Sequence, residues 1–347
     1  MKQREFYFDN AKFILIFFVV FGHLLRTFIE DNEMVFTLYK VIYTFHMPAF
    51  ILISGFFARG IYEKGYIKKI AKKLILPYLI FQLIYSVYYY FLFNKSQLTV
   101  DPFNPHWSLW FLVSLFCWHI MLLGFSRIKT ATGLALAFAL GLGVGYIDWV
   151  SNYLSLSRTF VFFPMFLLGY HLTKDHLKIL TRPGFRMAAL VPFAIAFIGF
   201  YLFPQLDYKW LLGSKPYGAM EIDLYAASFV RLGLYLLSTI MVFSFLAIVP
   251  TGQYFFTRLG RNTLYVYLLH GFFVRTFRES QISGYFTEPK DFLLLAAIAL
   301  LLTLVLSSKV IKAAAQPLIE LKASQMEKYK SRMSELDKNK KGRLHSS

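Results

Sequence analysis

The sequence predicts an all-α, polytopic transmembrane helical bundle of about ten spans, with the N-terminus and C-terminus both cytoplasmic. Three observations predict it. Of 347 residues, 57% are hydrophobic and 16% charged, an apolar share above and a charged share below those of a water-soluble domain. Windows of bilayer length, such as Phe13 to Leu25 and Asp291 to Ser307, carry almost no charge. Lysine and arginine also gather in alternate connecting segments, the asymmetry that orients membrane proteins.

Apolar runs place the spans near 8–28, 35–57, 74–93, 108–125, 131–147, 159–172, 187–203, 226–249, 262–277 and 291–309, the fifth and sixth being the shortest. Turn residues and polar clusters separate them, at Glu30 to Glu33, Asn94 to Pro105, Thr181 to Gly184, Pro204 to Pro216 and Pro250 to Gly252. No internal repeat is evident. With the N-terminus inside, the inner segments hold 27 of the 37 basic residues, and an odd number of spans would strand the basic tail outside. The first run is of full span length with no small-residue cleavage site after Phe28, so it is expected to be a retained helix, not a cleaved signal. The expected organisation is a membrane domain over 1–312 and a basic cytoplasmic tail over 313–347 suited to anionic lipid.

The net charge of +18 does not make the chain a nucleic-acid binder, because its cations sit in short gaps between apolar runs instead of on one solvated face. Cys117 is the only cysteine, so neither a disulfide framework nor a Cys-based metal site can be built, and no metal is expected.

An ionisable group inside a span costs several kcal/mol unless it is paired or faces a polar cavity, which makes each one a functional candidate. Asp9, Lys12 and His23 stand in the first span, and the eleven residues from Lys12 to His23 amount to three turns, roughly 16 Å along one face. Asp9 is one turn before Lys12 and can pair with it. The second span carries His46 beside Pro48, whose missing N–H predicts an interrupted backbone of the kind tolerated beside a cavity. His270 falls at the middle of the ninth span. The three histidines are expected to converge on one polar pocket, whereas His119 has no supporting pattern and reads as structural. Trp107 and Trp110 fit an interfacial aromatic belt, and Arg158 and Arg231 fit snorkelling, with substrate contact the alternative for the arginines. Lys68, Lys69, Lys72 and Lys73 form a cytoplasmic cluster that suits phosphate by charge.

Together these residues resemble the integral-membrane acyltransferase-3 family, in the branch similar to fucose 4-O-acetylase. The resemblance runs over roughly 5–310 and is carried by Phe8-Asp9-Asn10-Ala11-Lys12 with Gly22-His23, by Phe45-His46-Met47-Pro48 with Ser54-Gly55-Phe56-Phe57, and by Lys69-Ile70-Ala71-Lys72-Lys73 with Leu76-Pro77-Tyr78. Leu109-Trp110-Phe111-Leu112 and Gly260-Arg261-Asn262-Thr263-Leu264-Tyr265 with Leu269-His270 complete it. Positions 12, 69, 72 and 73 are lysine where the family often has arginine, which keeps a point charge without the bidentate fork.

The resemblance implies an O-acyltransferase, most often an O-acetyltransferase, in the cell membrane. It would move an acyl group from cytoplasmic acyl-CoA, acetyl-CoA as donor, to a hydroxyl of an envelope saccharide or lipid-linked sugar. In that reading His23 is the general base, and His46 or His270 its partner or the oxyanion donor. Asp9 and Lys12 hold the inner end of the pocket. Lys69, Lys72 and Lys73 bind the donor, and Arg158, Asn262 and Trp110 bind the acceptor. No serine–histidine–acid spacing is visible, so direct transfer is preferred over a covalent intermediate. The alternative from another class is a transporter or flippase of a lipid-linked sugar that uses the intramembrane histidines as a proton relay.

Overall fold

A computed structural model describes residues 6–286 and 288–320. Among them all regular structure is helical, in the order α1 (Phe6–Leu25), α2 (Glu33–Phe56), α3 (Tyr66–Leu92), α4 (Trp110–Phe125), α5 (Thr130–Gly143), α6 (Leu156–His171), α7 (Lys174–Leu180), α8 (Pro183–Ala188), α9 (Leu190–Leu202), α10 (Lys209–Leu212), α11 (Leu224–Ile248), α12 (Thr263–Glu279), α13 (Pro289–Leu306) and α14 (Lys309–Glu320). Each of the ten apolar runs becomes a helix. Six stretches are long and apolar enough to cross a membrane: α1, α2, α3, Trp107–Phe125 with α4, Pro183–Leu202 with α8 and α9, and α11. The pair α13 and α14, bent by 64° where they join, makes a seventh when taken as one broken span. The protein is a multi-pass helical membrane protein. Lys2, Arg4 and the basic tail from 321 onward lie outside the described residues.

The third helix begins at Tyr66, well before the apolar run that predicts it, because its first two turns carry Lys68, Lys69, Lys72 and Lys73 and read as polar. Asn32 starts α2 by accepting the Val35 N–H at 3.1 Å, and Asp223 starts α11 by accepting from Tyr225 and Ala226. The expected interruption at Pro48 is absent: α2 runs unbroken from Glu33 to Phe56. One lost backbone hydrogen bond does not break a long helix whose neighbours hold it on several sides.

In lipid, helices cannot associate by excluding water, so close backbone packing of small residues takes over. At the crossing of α2 and α6, a Cβ built on Gly55 would stand 1.9 Å from the Phe166 carbonyl oxygen, and one on Gly169 would stand 1.9 Å from that of Leu52. Only hydrogen fits at either point. This contact docks α6, which carries Arg158, onto α2, which carries His46.

The central helix is α1, packed against α2, α12 and α13. Its N-terminal end is clamped by Asn10, whose amide donates to the carbonyls of Pro250 and Gly252, both at 2.8 Å, and whose oxygen accepts from Thr257 Oγ1 at 2.6 Å. Gly260 rests on the Asp9 backbone, where a Cβ would meet the carbonyl oxygen at 1.9 Å. The Gly260-Arg261-Asn262 string is therefore a fit of backbone against backbone that fixes α12 beside α1.

Sequence reasoning passed over Lys40, which is fully buried in α2. Its ammonium faces the C-terminal end of α9, at 3.4 Å from the Phe200 carbonyl and 3.2 Å from that of Pro204, with the Phe36 ring centroid at 4.1 Å. Helix-end carbonyls carry partial negative charge, so they hold a cation with no carboxylate nearby.

Candidate active site

At the end of the bundle opposite the lysine clusters, a cavity of about 530 Å³ is lined by residues from α1, α2, α12, the starts of α4 and α6, and the 208–212 segment. His23 and His46 both line it. His270 lies directly behind His23, the two rings stacked with centroids 5.5 Å apart and an interplanar angle of 22°. Tyr43 bridges the other pair: its hydroxyl is 3.2 Å from His23 Nδ1, and its ring meets the His46 ring edge-on at 4.5 Å. His23 and His46 thus share the cavity, and His270 packs against His23 without lining it.

Hydrogen bonding fixes two of the rings. His46 Nδ1 is 2.8 Å from the Ile42 carbonyl and His270 Nδ1 is 2.9 Å from the Val266 carbonyl, one helical turn back in each case. A carbonyl can only accept, so each Nδ1 carries a proton, and in the neutral form of each ring Nε2 presents a lone pair. His270 Nε2 is buried and has no partner among the described residues. His46 and His270 are 1% and 0% exposed, whereas His23 is partly open to the cavity.

Trp107 packs against two of these rings, 4.4 Å from His23 and 5.3 Å from His270. Its backbone has φ 35°, in the left-handed region that a bulky residue adopts only under constraint from its surroundings. The preceding loop supplies that constraint. Gln82 on α3 donates to the carbonyls of Asp101 at 2.6 Å and Asn104 at 2.9 Å, and accepts from the His106 N–H at 2.9 Å. Tyr78 donates to the Pro102 carbonyl at 2.6 Å. Within the loop, the Asn104 side chain and the Phe103 N–H hold the Asp101 carboxyl below the usual carboxylate range, while burial, followed by the charge of Lys95, pushes His106 below the usual histidine range.

Four arginines line the same cavity with one carboxylate, Glu30. Arg26 pairs with Glu30 at 3.3 Å and donates to Tyr208 at 2.7 Å. Arg158 donates to the Leu212 carbonyl at 3.2 Å and lies 5.1 Å from the centroid of Trp110, so both of these sequence candidates reach the cavity. Arg278 donates to the His23 carbonyl, and Arg275 and Arg278 both lie over the Trp107 ring. Sequence reasoning missed Arg26, Arg275 and Arg278, counting them only as the basic minority on the outer side. The available signal was position: Arg26 is three residues beyond His23, just past the end of α1, and both others lie on α12 just beyond His270.

A second cavity of about 490 Å³ opens at the lysine-rich end, lined by Lys12, Lys69 and Lys73 and walled by Phe50, Phe57, Phe111 and Leu115. Lys12 is held by Asp9 at 2.8 Å, and Asp9 has Arg261 3.6 Å from its other oxygen. Lys72 is exposed on α3 and does not line this cavity. Asn262 lines neither cavity; its amide donates to the Ser307 carbonyl at 2.7 Å and ties α12 to α13. His119, which the sequence marks only as structural, does line the second cavity, with Tyr66 OH 3.1 Å from its Nδ1. Ser54 also lines it, its hydroxyl donated to the Phe50 carbonyl at 2.8 Å.

Val19, Met47 and Tyr267 line both cavities and form the partition between them. Tyr267 is fixed there by donating its hydroxyl to the Ser108 carbonyl. Fold and site together define a multi-pass membrane protein hollowed from both ends, with a histidine and arginine chamber above the partition and a lysine-edged, apolar chamber below it.

The chain belongs to the acyltransferase-3 family: the family's acyltransferase domain matches residues 5–309. It is also similar to the nodulation protein NolL of Mesorhizobium japonicum, 32% identical over 157 residues, which cover 40% of this chain and 42% of that protein. The protein of the same name from Sinorhizobium fredii is 33% identical over 130 residues, 33% of this chain and 36% of the relative. The matched stretch thus spans about two fifths of these curated relatives. No solved structure matches the chain at a significant level.

Proposed function

We propose that this protein is a cell-membrane O-acetyltransferase. It takes the acetyl group of cytoplasmic acetyl-CoA in the inner cavity and delivers it to a hydroxyl of an envelope or exported saccharide in the outer one. The reading includes ten spans with both termini cytoplasmic, which puts the lysine-rich end inside. The observation that carries it is the shared partition: two cavities of different chemistry approach from opposite ends and are separated by the side chains of Val19, Met47 and Tyr267. Apolar walls suit the pantetheine arm and acyl group, and Lys12, Lys69 and Lys73 suit the phosphates of the donor.

In the reaction, the acceptor hydroxyl attacks the thioester carbonyl while a base removes its proton. The tetrahedral oxyanion collapses, the C–S bond breaks, and the proton passes to the departing thiolate. His23 is assigned as the base because, of the two histidines that line the cavity, it is the more exposed and neither of its ring nitrogens is committed to a backbone carbonyl. The oxyanion-donor role expected of His46 or His270 suits them poorly, since a neutral ring with its proton given to a carbonyl offers a lone pair at Nε2. Arg158 supplies positive charge instead. Ser54, its hydrogen committed to a backbone carbonyl, is a weak nucleophile, in keeping with direct transfer.

The deciding experiment incubates purified protein in membrane vesicles with labelled acetyl-CoA on one face and saccharide acceptors on the other. Label in the saccharide supports the reading; unmodified sugar crossing the vesicle identifies a carrier instead. For the donor site, Lys69→Glu with Lys73→Glu is expected to raise KM for acetyl-CoA by about 10- to 100-fold, by loss of attraction and gain of repulsion. Lys72→Glu, outside the cavity, is expected to raise it less. Equal effects of Lys72 and Lys73 would remove the cavity lysines from donor binding.

A further inference from the structure

Arg275 and Arg278 lie over the same indole ring, at 5.1 Å and 5.7 Å from the Trp107 centroid, and both line the outer cavity. Arg275 also faces the Tyr89 ring at 5.7 Å. Aromatic faces attract cations, but they leave the N–H groups of a guanidinium unsatisfied. The Nε atoms of both arginines are buried and have no hydrogen-bond partner among the described residues. Among the described residues neither arginine forms an ion pair with a carboxylate, and Glu30, the one acidic residue among those lining the cavity, is paired with Arg26. Two like charges gathered in a partly enclosed membrane chamber, with buried donors left open, form an arrangement that an arriving anion would complete.

We infer that Arg275 and Arg278 form a binding site for an anionic group on the acceptor, a saccharide carboxylate or the phosphate of a carrier-linked sugar. This rests on the proposed acyl-transfer reading, to which it adds the substrate class. The guanidinium fork supplies paired N–H donors to two oxygens of the anion, and Trp107 holds both arginines beside His23. The acceptor is thereby anchored by its charge while a nearby hydroxyl reaches the base.

The test is calorimetric titration of the full-length purified protein, with coenzyme A in excess to occupy the inner lysines. Three probes are used: methyl glucuronoside, inorganic pyrophosphate and the neutral methyl glucoside. At least one anionic probe is expected to bind about tenfold or more tightly than methyl glucoside, and added salt should weaken the anionic probe alone. Preference for pyrophosphate identifies a phosphate-linked acceptor, and preference for glucuronoside an acidic sugar. Arg275→Gln is expected to abolish the preference and Arg275→Lys to restore part of it; Arg275 is chosen because Arg278 also holds the His23 backbone. Equal binding of the neutral and anionic probes, a preference unaffected by salt, or one that survives Arg275→Gln overturns the inference. Because binding needs no turnover, anion binding without labelled acetyl transfer would leave this site standing and remove the acyl-transfer reading, and the reverse result would do the opposite.

Discussion

Replacing His23 with glutamine is expected to lower acetyl transfer by about 10²- to 10⁴-fold, the range lost when a positioned general base is removed. The proposed donor site lies at the far side of the partition, so affinity for acetyl-CoA should stay the same. Glutamine fills much of the imidazole volume and can still reach Tyr43, so the loss would report chemistry and not collapse of the cavity. Steady-state transfer of labelled acetyl, paired with equilibrium binding of the donor, separates the two effects. Since His46 and His270 are 1% and 0% exposed while His23 is partly open to the cavity, His46→Gln and His270→Gln should cost less in kcat than His23→Gln. Full activity in His23→Gln, or a larger loss in His46→Gln, would move the base off α1.

Gly169→Ala is expected to destabilise the bundle by roughly 3 kcal/mol or more, at the upper end of overpacking, because a single methyl would stand 1.9 Å from the Leu52 carbonyl oxygen. Both partners are backbone, so no side-chain rotation relieves the clash, and α2 and α6 must separate. Gly143 and Gly199 have nothing within 4 Å of the equivalent point, and alanine at either should change stability by no more than about 0.5 kcal/mol. Thermal unfolding followed by size-exclusion chromatography of detergent-purified variants measures this. A Gly169→Ala protein as stable as the Gly199→Ala one would mean that α2 and α6 do not cross as described. The same variant should lose acetyl transfer, since the displaced helices carry His46 and Arg158.

Helix positions were legible because a span must satisfy its own backbone in oil, which forces long apolar runs into the sequence. The start of α3 was not, since its lysine-bearing turns lie beyond the apolar stretch and hydropathy cannot separate a polar helical turn from a polar loop. Pro48 misled in the opposite direction, because its local cost is visible in the sequence and the packing that absorbs it is not. The histidines stood out because each is rare at depth. Arg275 and Arg278 sit near a helix end, where arginine is ordinary, and only the return of the 94–106 loop through Gln82 brings Trp107 beneath them. Asn262 read as a substrate contact from its motif, yet its amide is spent on Ser307, a pairing between residues 45 apart in the chain that spacing does not reveal.

The partition of Val19, Met47 and Tyr267 has an electrical consequence. A bilayer ordinarily drops its voltage across about 30 Å of hydrocarbon. Where solvent enters from each face, the drop is compressed into the few side chains left between, and the local field strengthens in proportion. A unit charge crossing that layer exchanges about 2.3 kcal/mol with every 100 mV of membrane potential. In the proposed reading a neutral acetyl group would make the passage without feeling it, so that material is handed outward through the thinnest point of the membrane while the cell's ion gradients stay intact.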